Sequence, residues 1–324
     1  MTSIEVQKLQ TLTGHRDGVY TVVAGAEPSH FFSGAGDGMV VLWNLETPQE
    51  GERIAQMPNS VYALHYMPHM GVLVAGHNYN GIHVLDWKER RELSSLKTTD
   101  AAIFDIQHYG DDVFIASGDG ALTVVDLHRM TVKARQVLSQ KNARTIAVNP
   151  VLGEIAVGYS DNFIRIFDLQ GYRLKKEWQA HTNSVFTLRY TPDSRLLLSG
   201  SRDARLKMWD PGADYSLSHE VVAHMYAINS LSFSPDGKHF VTCSLDKSIK
   251  LWDAGQLKLL KVIDKARHAG HGTSVNKLLW TAYDGAPSLS SGRLRQSADA
   301  SAREQGQVVS ASDDRTISVW KFIF

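Results

Sequence analysis

A short pattern of polar and apolar residues recurs along the chain. At its clearest it occupies residues 198–210 (LSGSRDARLKMWD), where a polar turn is followed by alternating polar and apolar residues that lead to Trp209. This alternation has the period of two residues that is typical of a strand with one buried face. The same phrase returns at residues 33–44 (SGAGDGMVVLWN), 242–253 (TCSLDKSIKLWD) and 310–321 (SASDDRTISVWK). A phrase repeated in this way indicates a repeat architecture.

Seven copies of the strand that ends this phrase can be aligned. Five of the six spacings between their end positions lie between 39 and 43 residues, close to the period of about 40–45 residues of a four-stranded propeller blade. The last spacing is 68 residues, which indicates an insertion in the seventh repeat. The aligned end positions are Trp43, Asp86, Val125, Phe167, Trp209, Trp252 and Trp320.

Four repeats also open in the same way, with a His shortly before the first strand. These openings are residues 14–22 (GHRDGVYTV), 180–188 (AHTNSVFTL), 223–231 (AHMYAINSL) and 270–278 (GHGTSVNKL). With these motifs the chain resembles the WD40-repeat proteins over residues 4–322. The resemblance implies an all-β fold, a seven-bladed propeller of four-stranded antiparallel blades that forms one domain over residues 1–324. The repeats are expected to end near residues 44, 87, 126, 168, 210, 253 and 321.

The two ends of the chain indicate how such a ring would close. Residues 4–12 have strand character but belong to none of the seven repeats, and only four residues follow Trp320. We therefore expect the N-terminal strand to complete the last blade, which leaves no exposed sheet edge. The insertion in that repeat, residues 284–305, is rich in Ser, Ala and Gly, and we expect it to form a flexible loop.

Repeats two to four depart from the pattern. In the second repeat Asn80 replaces the Asp of the turn and Asp86 stands at the Trp position, whereas the third and fourth repeats keep the Asp but place Val125 and Phe167 at the Trp position. We expect these blades to hold together by apolar packing instead of the polar network of the other four, and to form the softer side of the ring.

The recurring polar residues include those of a hydrolase triad, His, Ser and Asp. Because they recur in four repeats together with Trp, a structural role is favoured over catalysis. The resemblance implies four hydrogen-bonded tetrads, in which indole, hydroxyl, imidazole and carboxylate follow one another. The expected tetrads are His15, Ser33, Asp37 and Trp43; His181, Ser199, Asp203 and Trp209; His224, Thr242, Asp246 and Trp252; and His271, Ser310, Asp314 and Trp320.

Composition narrows the classes of partner and cofactor. Lys and Arg together number 34, and so do Asp and Glu, so no global charge favours nucleic acid or an anionic membrane. No set of His, Cys and acidic residues has the spacing of three metal ligands, and the Gly-containing strings are not followed by a phosphate-binding helix, so we expect no metal and no cofactor. A single cysteine, Cys243, and the lack of a signal-peptide pattern predict a cytoplasmic protein.

The candidate binding site follows from one position in each innermost strand, directly after the first apolar anchor. The resemblance implies that this position lines the top mouth of the central channel, where peptides dock. In chain order we assign it to Tyr20, Tyr62, Phe104, Ile146, Phe186, Asn229 and Asn276. Tyr79 and Arg202, each directly before the position of the turn Asp, are expected on the same face.

These residues predict a non-catalytic scaffold that binds a protein or peptide partner at its top face, because exposed aromatic side chains are typical of binding hot spots. The protein could act alone or as a subunit of a larger complex. Two alternatives stay open: the rings plug a narrow channel, or the mouth belongs to a propeller enzyme of the hydrolase or lactonase type.

Overall fold

Seven four-stranded antiparallel sheets form a closed ring in the computed structural model, which describes residues 4–285 and 306–324. The first strand, β1 (Glu5–Leu12), belongs to the last sheet, and each of the other six sheets is a run of four consecutive strands. The innermost strands of successive blades contact one another in order, and the seventh contacts the first. The predicted fold, an all-β propeller of seven blades, is confirmed.

The first four blades are listed here from their innermost to their outermost strands. They are β2 (Val19–Ala24), β3 (His30–Ala35), β4 (Met39–Asn44) and β5 (Glu52–Gln56); β6 (Val61–Met67), β7 (Val72–His77), β8 (Gly81–Asp86) and β9 (Arg91–Leu96); β10 (Ile103–Tyr109), β11 (Asp112–Ser117), β12 (Ala121–Asp126) and β13 (Thr131–Val137); and β14 (Ala143–Asn149), β15 (Glu154–Tyr159), β16 (Phe163–Asp168) and β17 (Leu174–Gln179).

The remaining three blades follow the same order, with two short helical turns between strands. They are β18 (Val185–Tyr190), β19 (Leu197–Ser201), β20 (Arg205–Asp210) and β21 (Ser216–Val222); β22 (Ile228–Phe233), β23 (His239–Ser244), β24 (Ile249–Asp253) and β25 (Lys258–Ile263); and β26 (Val275–Thr281), β27 (Gln307–Ser312), β28 (Ile317–Ile323) and β1. The helical turns are a 3₁₀ turn (Pro211–Ala213) and α1 (Lys265–His268).

The N-terminal strand β1 closes the ring by pairing antiparallel with β28. The register runs from Glu5 opposite Ile323 to Leu12 opposite Ile317, with an irregularity at Leu9. The outermost strand of the seventh blade therefore comes from the other end of the chain, as the sequence predicts. Residues 286–305, almost all of the predicted flexible insertion, lie outside the described residues.

The core lies between neighbouring blades, and small residues let them approach. In the fifth blade, Gly200 of β19 faces the innermost strand of the sixth blade so closely that a Cβ atom would lie 2.7 Å from Ile228 Cγ2. Leu198, on the same strand, is fully buried in a cluster with Ile228, Leu231 and Phe240 of the sixth blade. Each sheet therefore buries apolar side chains against the next sheet, which is where the burial energy of the fold arises.

The second blade corrects one predicted position. Leu85, not Asp86, occupies the place of Trp43, because Leu85 pairs with Leu73 as Trp43 pairs with Phe31. Leu85 is buried, whereas Asp86 is the last residue of its strand and accepts hydrogen bonds from turn amides. The alignment was displaced by one residue because the turn before β8 differs from the other turns.

The second blade also contains a polar network of its own. His77 and His83 are buried and stacked, with their Nε2 atoms 2.9 Å apart, and His83 Nδ1 lies 2.9 Å from a carboxylate oxygen of Glu92. Burial lowers the pKa of His77, as expected for an imidazole held largely neutral. The expected apolar packing is present in this blade, but the expectation that it lacks a polar network is wrong.

The third and fourth blades also replace the tetrad with other polar contacts. In the third blade one carboxylate accepts hydrogen bonds from two hydroxyls, and in the fourth a buried guanidinium pairs with two carboxylates. The contacts are Ser117 to Asp119 (2.6 Å), Thr99 to Asp119 (2.7 Å), Arg165 to Asp161 (2.9 Å) and Arg165 to Glu177 (2.8 Å).

Candidate functional site

The top of the central channel is a small cavity of about 250 Å³. Every blade contributes to its wall through its innermost strand or the loop before it. We call this cavity the channel mouth; its lining residues are Tyr20, Tyr62, Phe104, Asp105, Arg144, Thr145, Phe186, Asn229, Ser274, Asn276 and Lys277.

Four aromatic rings form one side of the channel mouth. The rings of Tyr20 and Tyr62 lie 4.7 Å apart between centroids, and those of Tyr62 and Phe104 lie 5.9 Å apart, both tilted. Phe186 belongs to the fifth blade, so the residue that the fourth blade contributes separates it from Phe104. All four side chains are half-buried, so they are held by neighbours and still present area to the channel mouth.

The fourth blade supplies Arg144 at this position, not Ile146 as the sequence alignment had it. Ala143 pairs with Tyr159 as Val185 pairs with Ser201, which makes Arg144 the equivalent of Phe186, while Ile146 is fully buried. In the other six repeats the two apolar anchors of the innermost strand are three residues apart, and Ala143 with Ile146 keeps that spacing. That spacing was the signal that could have found Arg144.

Arg144 is held between two rings. Its guanidinium carbon lies 4.2 Å from the ring centre of Phe104 and 5.2 Å from that of Phe186, the geometry of a cation–π contact. Its Nε–H donates to Ser160 Oγ over 3.0 Å. Burial, and to a smaller extent the charge of Arg202, lower the pKa of Arg144, but a guanidinium remains protonated at neutral pH.

Two further ionisable side chains lie in the wall of the channel mouth. Asp105 is buried and accepts from the backbone N–H of Ile106 (3.0 Å) and of Ile146 (2.8 Å), so its negative charge is largely satisfied by the protein. Lys277 is half-buried, and burial lowers its pKa while the charge of Asp105 opposes that shift. Sequence reasoning missed both, since each looks like an isolated polar residue on an innermost strand.

The two predicted asparagines use their N–H groups inside the ring. The amide nitrogen of Asn229 donates to Ser274 Oγ (3.0 Å) and to the Val275 carbonyl (2.9 Å). That of Asn276 donates to the Val19 carbonyl (3.0 Å) and to Asp313 Oδ1 (2.6 Å). These side chains therefore join the sixth blade to the seventh and the seventh to the first.

Tyr79 and Arg202 lie on the same face as the channel mouth but do not line it. Tyr79 is 62% exposed in the turn between β7 and β8, where its φ of 74° is left-handed. Arg202 is exposed in the turn between β19 and β20, close enough for its charge to act on Arg144. On the sixth blade, the exposed side chains of Met225, Tyr226 and Leu245 add apolar surface that the sequence had not singled out.

The four tetrads contain the expected hydrogen bonds, and none of their side chains lines the channel mouth. In the fifth blade, Trp209 Nε1 donates to Ser199 Oγ (2.8 Å), which lies 2.7 Å from His181 Nε2, and His181 Nδ1 lies 3.0 Å from Asp203 Oδ2. The same three contacts occur around Ser33 (2.8, 2.8 and 3.2 Å), Thr242 (2.9, 2.8 and 2.9 Å) and Ser310 (2.8, 2.8 and 2.9 Å).

The protonation of these tetrads follows from their geometry. Since Ser199 Oγ accepts the indole N–H, its own proton points to His181 Nε2, and the imidazole is neutral with its proton on Nδ1. Burial lowers the pKa of His181 accordingly. Burial alone would raise the pKa of Asp203, but hydrogen bonds from His181 and from two backbone amides bring it below its usual range. This saturated arrangement supports a structural role.

Other chemical groups are sparse. Over residues 4–285 and 306–324, no three His, Cys, Asp or Glu side chains form a group that could hold a metal ion, and no helix is long and apolar enough to cross a membrane. Cys243 is fully buried, and burial raises the pKa of its thiol. A larger groove of about 830 Å³ lies on the opposite face, between turns of blades four to six, but it brings no aromatic side chains together.

Comparisons with known proteins agree with this architecture. The family model described as "WD domain, G-beta repeat" matches residues 6–44, 172–210 and 215–253. The WD40 beta propeller domain of Doa1, a crystal structure, superimposes with a TM-score of 0.81 over 98% of this chain and 97% of that chain, at 17% sequence identity.

Three curated relatives show the same kind of similarity. WD repeat-containing protein 81 of Rattus norvegicus is 25% identical over 219 residues, 62% of this chain and 11% of that protein. The 66 kDa stress protein of Physarum polycephalum is 26% identical over 209 residues, 62% of this chain and 33% of that protein. Human striatin is 24% identical over 235 residues, 64% of this chain and 30% of that protein. The chain thus spans between about a tenth and a third of these relatives.

Proposed function

Because this chain belongs to the WD40-repeat proteins, we propose that it is a non-catalytic scaffold that binds a peptide segment of a protein partner at the channel mouth. WD40 propellers generally bind protein partners, which is the function that the family membership supports. That binding takes place at the channel mouth, and that the protein catalyses no reaction, are the two further parts of the proposal.

One observation carries the choice of face: four aromatic side chains from four blades converge on a single cavity. Tyr20, Tyr62, Phe104 and Phe186 are half-buried, so they lose little conformational freedom when a partner covers them. A cavity of about 250 Å³ has room for one or two side chains and not for a folded domain. We therefore expect a peptide that anchors one side chain in the channel mouth and lies across the top face, towards Tyr79 or Arg202.

The test compares capture of partners by two variants that lose the same kind of surface on opposite faces. The top variant carries Tyr20→Ala, Tyr62→Ala and Phe104→Ala. The control carries Tyr109→Ala and Leu152→Ala, which remove two exposed apolar side chains from the opposite face. Each protein is first shown to be folded by circular dichroism and by its melting curve, then used for affinity capture from an extract of its native cell.

We expect wild type and the control to capture the same partner and the top variant to lose it. Loss of about 2 kcal/mol per anchoring ring would lower affinity by more than tenfold at each position. A partner that stays bound to the top variant and leaves the control would place the interface on the opposite face and refute the proposal. If wild type and the control both captured no partner, and a small molecule bound at the channel mouth, a catalytic function would gain support.

The cellular setting of this function is also a proposal. The balanced charge and the single buried thiol fit a protein of the cytoplasm, with no role in binding nucleic acid or membranes. The partner could be a transient ligand or a permanent subunit of a larger complex. In both cases the four aromatic side chains of the channel mouth would carry the contact.

A further inference from the structure

The charges at the channel mouth are distributed unevenly. Arg144 lies in its wall, and Arg202 on the fifth blade is close enough for its charge to act on Arg144, whereas Asp17 and Asp313 lie on the opposite side, next to Tyr20. One acidic side chain on that opposite side is already engaged, since Asp313 accepts a hydrogen bond from Asn276. Apart from Asp105 and Lys277, which lie in the wall, the mouth thus has a cationic side, defined by Arg144 and Arg202, and an acidic side, defined by Asp17 and Asp313.

The cationic side has no counter-ion within the described part of the chain. Over residues 4–285 and 306–324, no carboxylate oxygen lies within 4.0 Å of a nitrogen of either guanidinium, although most of the other described arginines have one. Arg144 uses its Nε–H on Ser160, and after correction of the Asn142 amide orientation one Nη donates to its oxygen over 3.2 Å, which leaves other N–H groups of the fork unused. Arg144 is therefore a half-buried guanidinium that keeps N–H donors which no described protein group accepts.

Aromatic rings at a binding mouth would by themselves favour a cationic ligand, because ring faces attract cations. Here Arg144 already covers the faces of Phe104 and Phe186. A second cation brought to these rings would meet the charges of Arg144 and Arg202 at close range. The arrangement therefore disfavours Lys or Arg side chains on this side and suits a carboxylate, which a guanidinium binds through two parallel hydrogen bonds.

We propose that the peptide bound at the channel mouth is acidic, and that it places an Asp or Glu carboxylate against Arg144 with Arg202 as the second cation. The rings of Tyr20 and Tyr62 accommodate an apolar residue of the peptide next to this carboxylate. This inference rests on the proposed function, since it names the chemistry of the ligand of that same site.

The first experiment selects ligands without knowing the partner. A library of random dodecapeptides is displayed on phage and selected on immobilised wild-type protein, with the Tyr20→Ala/Tyr62→Ala/Phe104→Ala variant for counter-selection. We expect the recovered sequences to be enriched in Asp and Glu and depleted in Lys and Arg relative to the starting library.

The second experiment assigns the contact. The most enriched peptide, and a version with its acidic residue changed to the amide, are labelled with a fluorophore and titrated with wild type, Arg144→Gln, Arg202→Gln and Arg195→Gln. The last is a control that removes one exposed guanidinium from the opposite face. We expect Arg144→Gln to weaken the acidic peptide about tenfold and to bind acid and amide peptides alike, whereas Arg195→Gln binds as wild type does.

The outcomes separate this inference from the function on which it rests. If peptides are selected that depend on the three rings but are basic or uncharged, the mouth binds peptides and the acidic ligand is refuted. If no peptide depends on the rings, both proposals fail. If Arg144→Gln does not fold, the Arg202→Gln variant tests the inference instead, since Arg202 is exposed. Arg202→Gln must then lower the affinity for the acidic peptide several-fold and leave the affinity for its amide version unchanged.

Discussion

The tetrad of the fifth blade predicts a coupling energy that a double-mutant cycle can measure. The cycle uses Trp209→Phe, Ser199→Ala and the double variant. The first removes the indole N–H that donates to Ser199 Oγ over 2.8 Å, and the second removes the hydroxyl that joins the indole to His181. Both positions are buried, so water cannot replace the missing partner at little cost.

The magnitudes follow from the groups left without partners. Trp209→Phe loses one buried hydrogen bond, about 1 kcal/mol, and part of the ring packed against Trp178, about 1–2 kcal/mol more. Ser199→Ala leaves both the indole N–H and the imidazole Nε2 unpaired, about 2–4 kcal/mol in total. In the double variant the indole N–H no longer exists, so its penalty is absent. The two changes together should therefore cost about 1–2 kcal/mol less than the sum of the single changes.

Urea unfolding followed by far-ultraviolet circular dichroism avoids the loss of the tryptophan signal. Phe167→Leu is the matched control, because Phe167 holds the same place in the fourth blade without a hydrogen-bonding group, and it should cost about 1 kcal/mol. Trp209→Phe should then lower the urea midpoint further than Phe167→Leu. Single changes that add to within about 0.5 kcal/mol, or equal midpoints for the two ring variants, would contradict the tetrad.

Two further predictions concern the ring and its pH dependence. Deleting residues 4–12 removes the strand that pairs with β28, so we expect a lower melting temperature and poorer solubility through the exposed edge; an unchanged melting curve would contradict closure by this strand. The buried imidazoles of His15, His181 and His224 have lowered pKa values, mainly through burial, so the unfolded chain binds more protons below about pH 6.5. The free energy of unfolding should therefore fall as the pH is lowered from 7 towards 5, and urea midpoints that stay constant or rise would refute this.

The fold could be predicted because its determinants are local and repeated. Each repeat has the same alternation of polar and apolar residues, the same turn and an apolar residue near the end of its third strand. Spacing alone therefore places even Val125 and Phe167, which replace Trp, correctly. The error at Asp86 arose where this redundancy is weakest. The second repeat has neither the opening His nor the turn Asp, and its turn contains a left-handed Tyr79, so only the strand pairing of Leu85 shows the register.

The polar contacts of the degenerate blades could not be predicted in full, because these blades keep at most the turn Asp of the tetrad, as Asp119 and Asp161, and pair it with other residues. His83 lies opposite Ala75, which stands where Ser33 stands in the first blade, and it reaches Glu92 on the outermost strand. Arg165 likewise reaches outwards to Glu177. A buried polar group needs a partner, but which strand supplies it depends on side-chain length and sheet twist, and neither is written in the spacing of a motif.

The chemistry of the channel mouth was hidden for a related reason. Three aromatic residues occur at one position of successive repeats and can be found by alignment, but Arg144 follows a small anchor, Ala143, and an apolar residue two places later takes its place in a simple alignment. The role that we propose for Arg144 depends on its contacts with two rings from neighbouring blades, which meet only in the closed ring, and on the lack of a carboxylate within 4.0 Å among the described residues. A sequence read repeat by repeat therefore finds the aromatic positions of the proposed binding site, whereas the charge that we propose for the partner follows from contacts between blades.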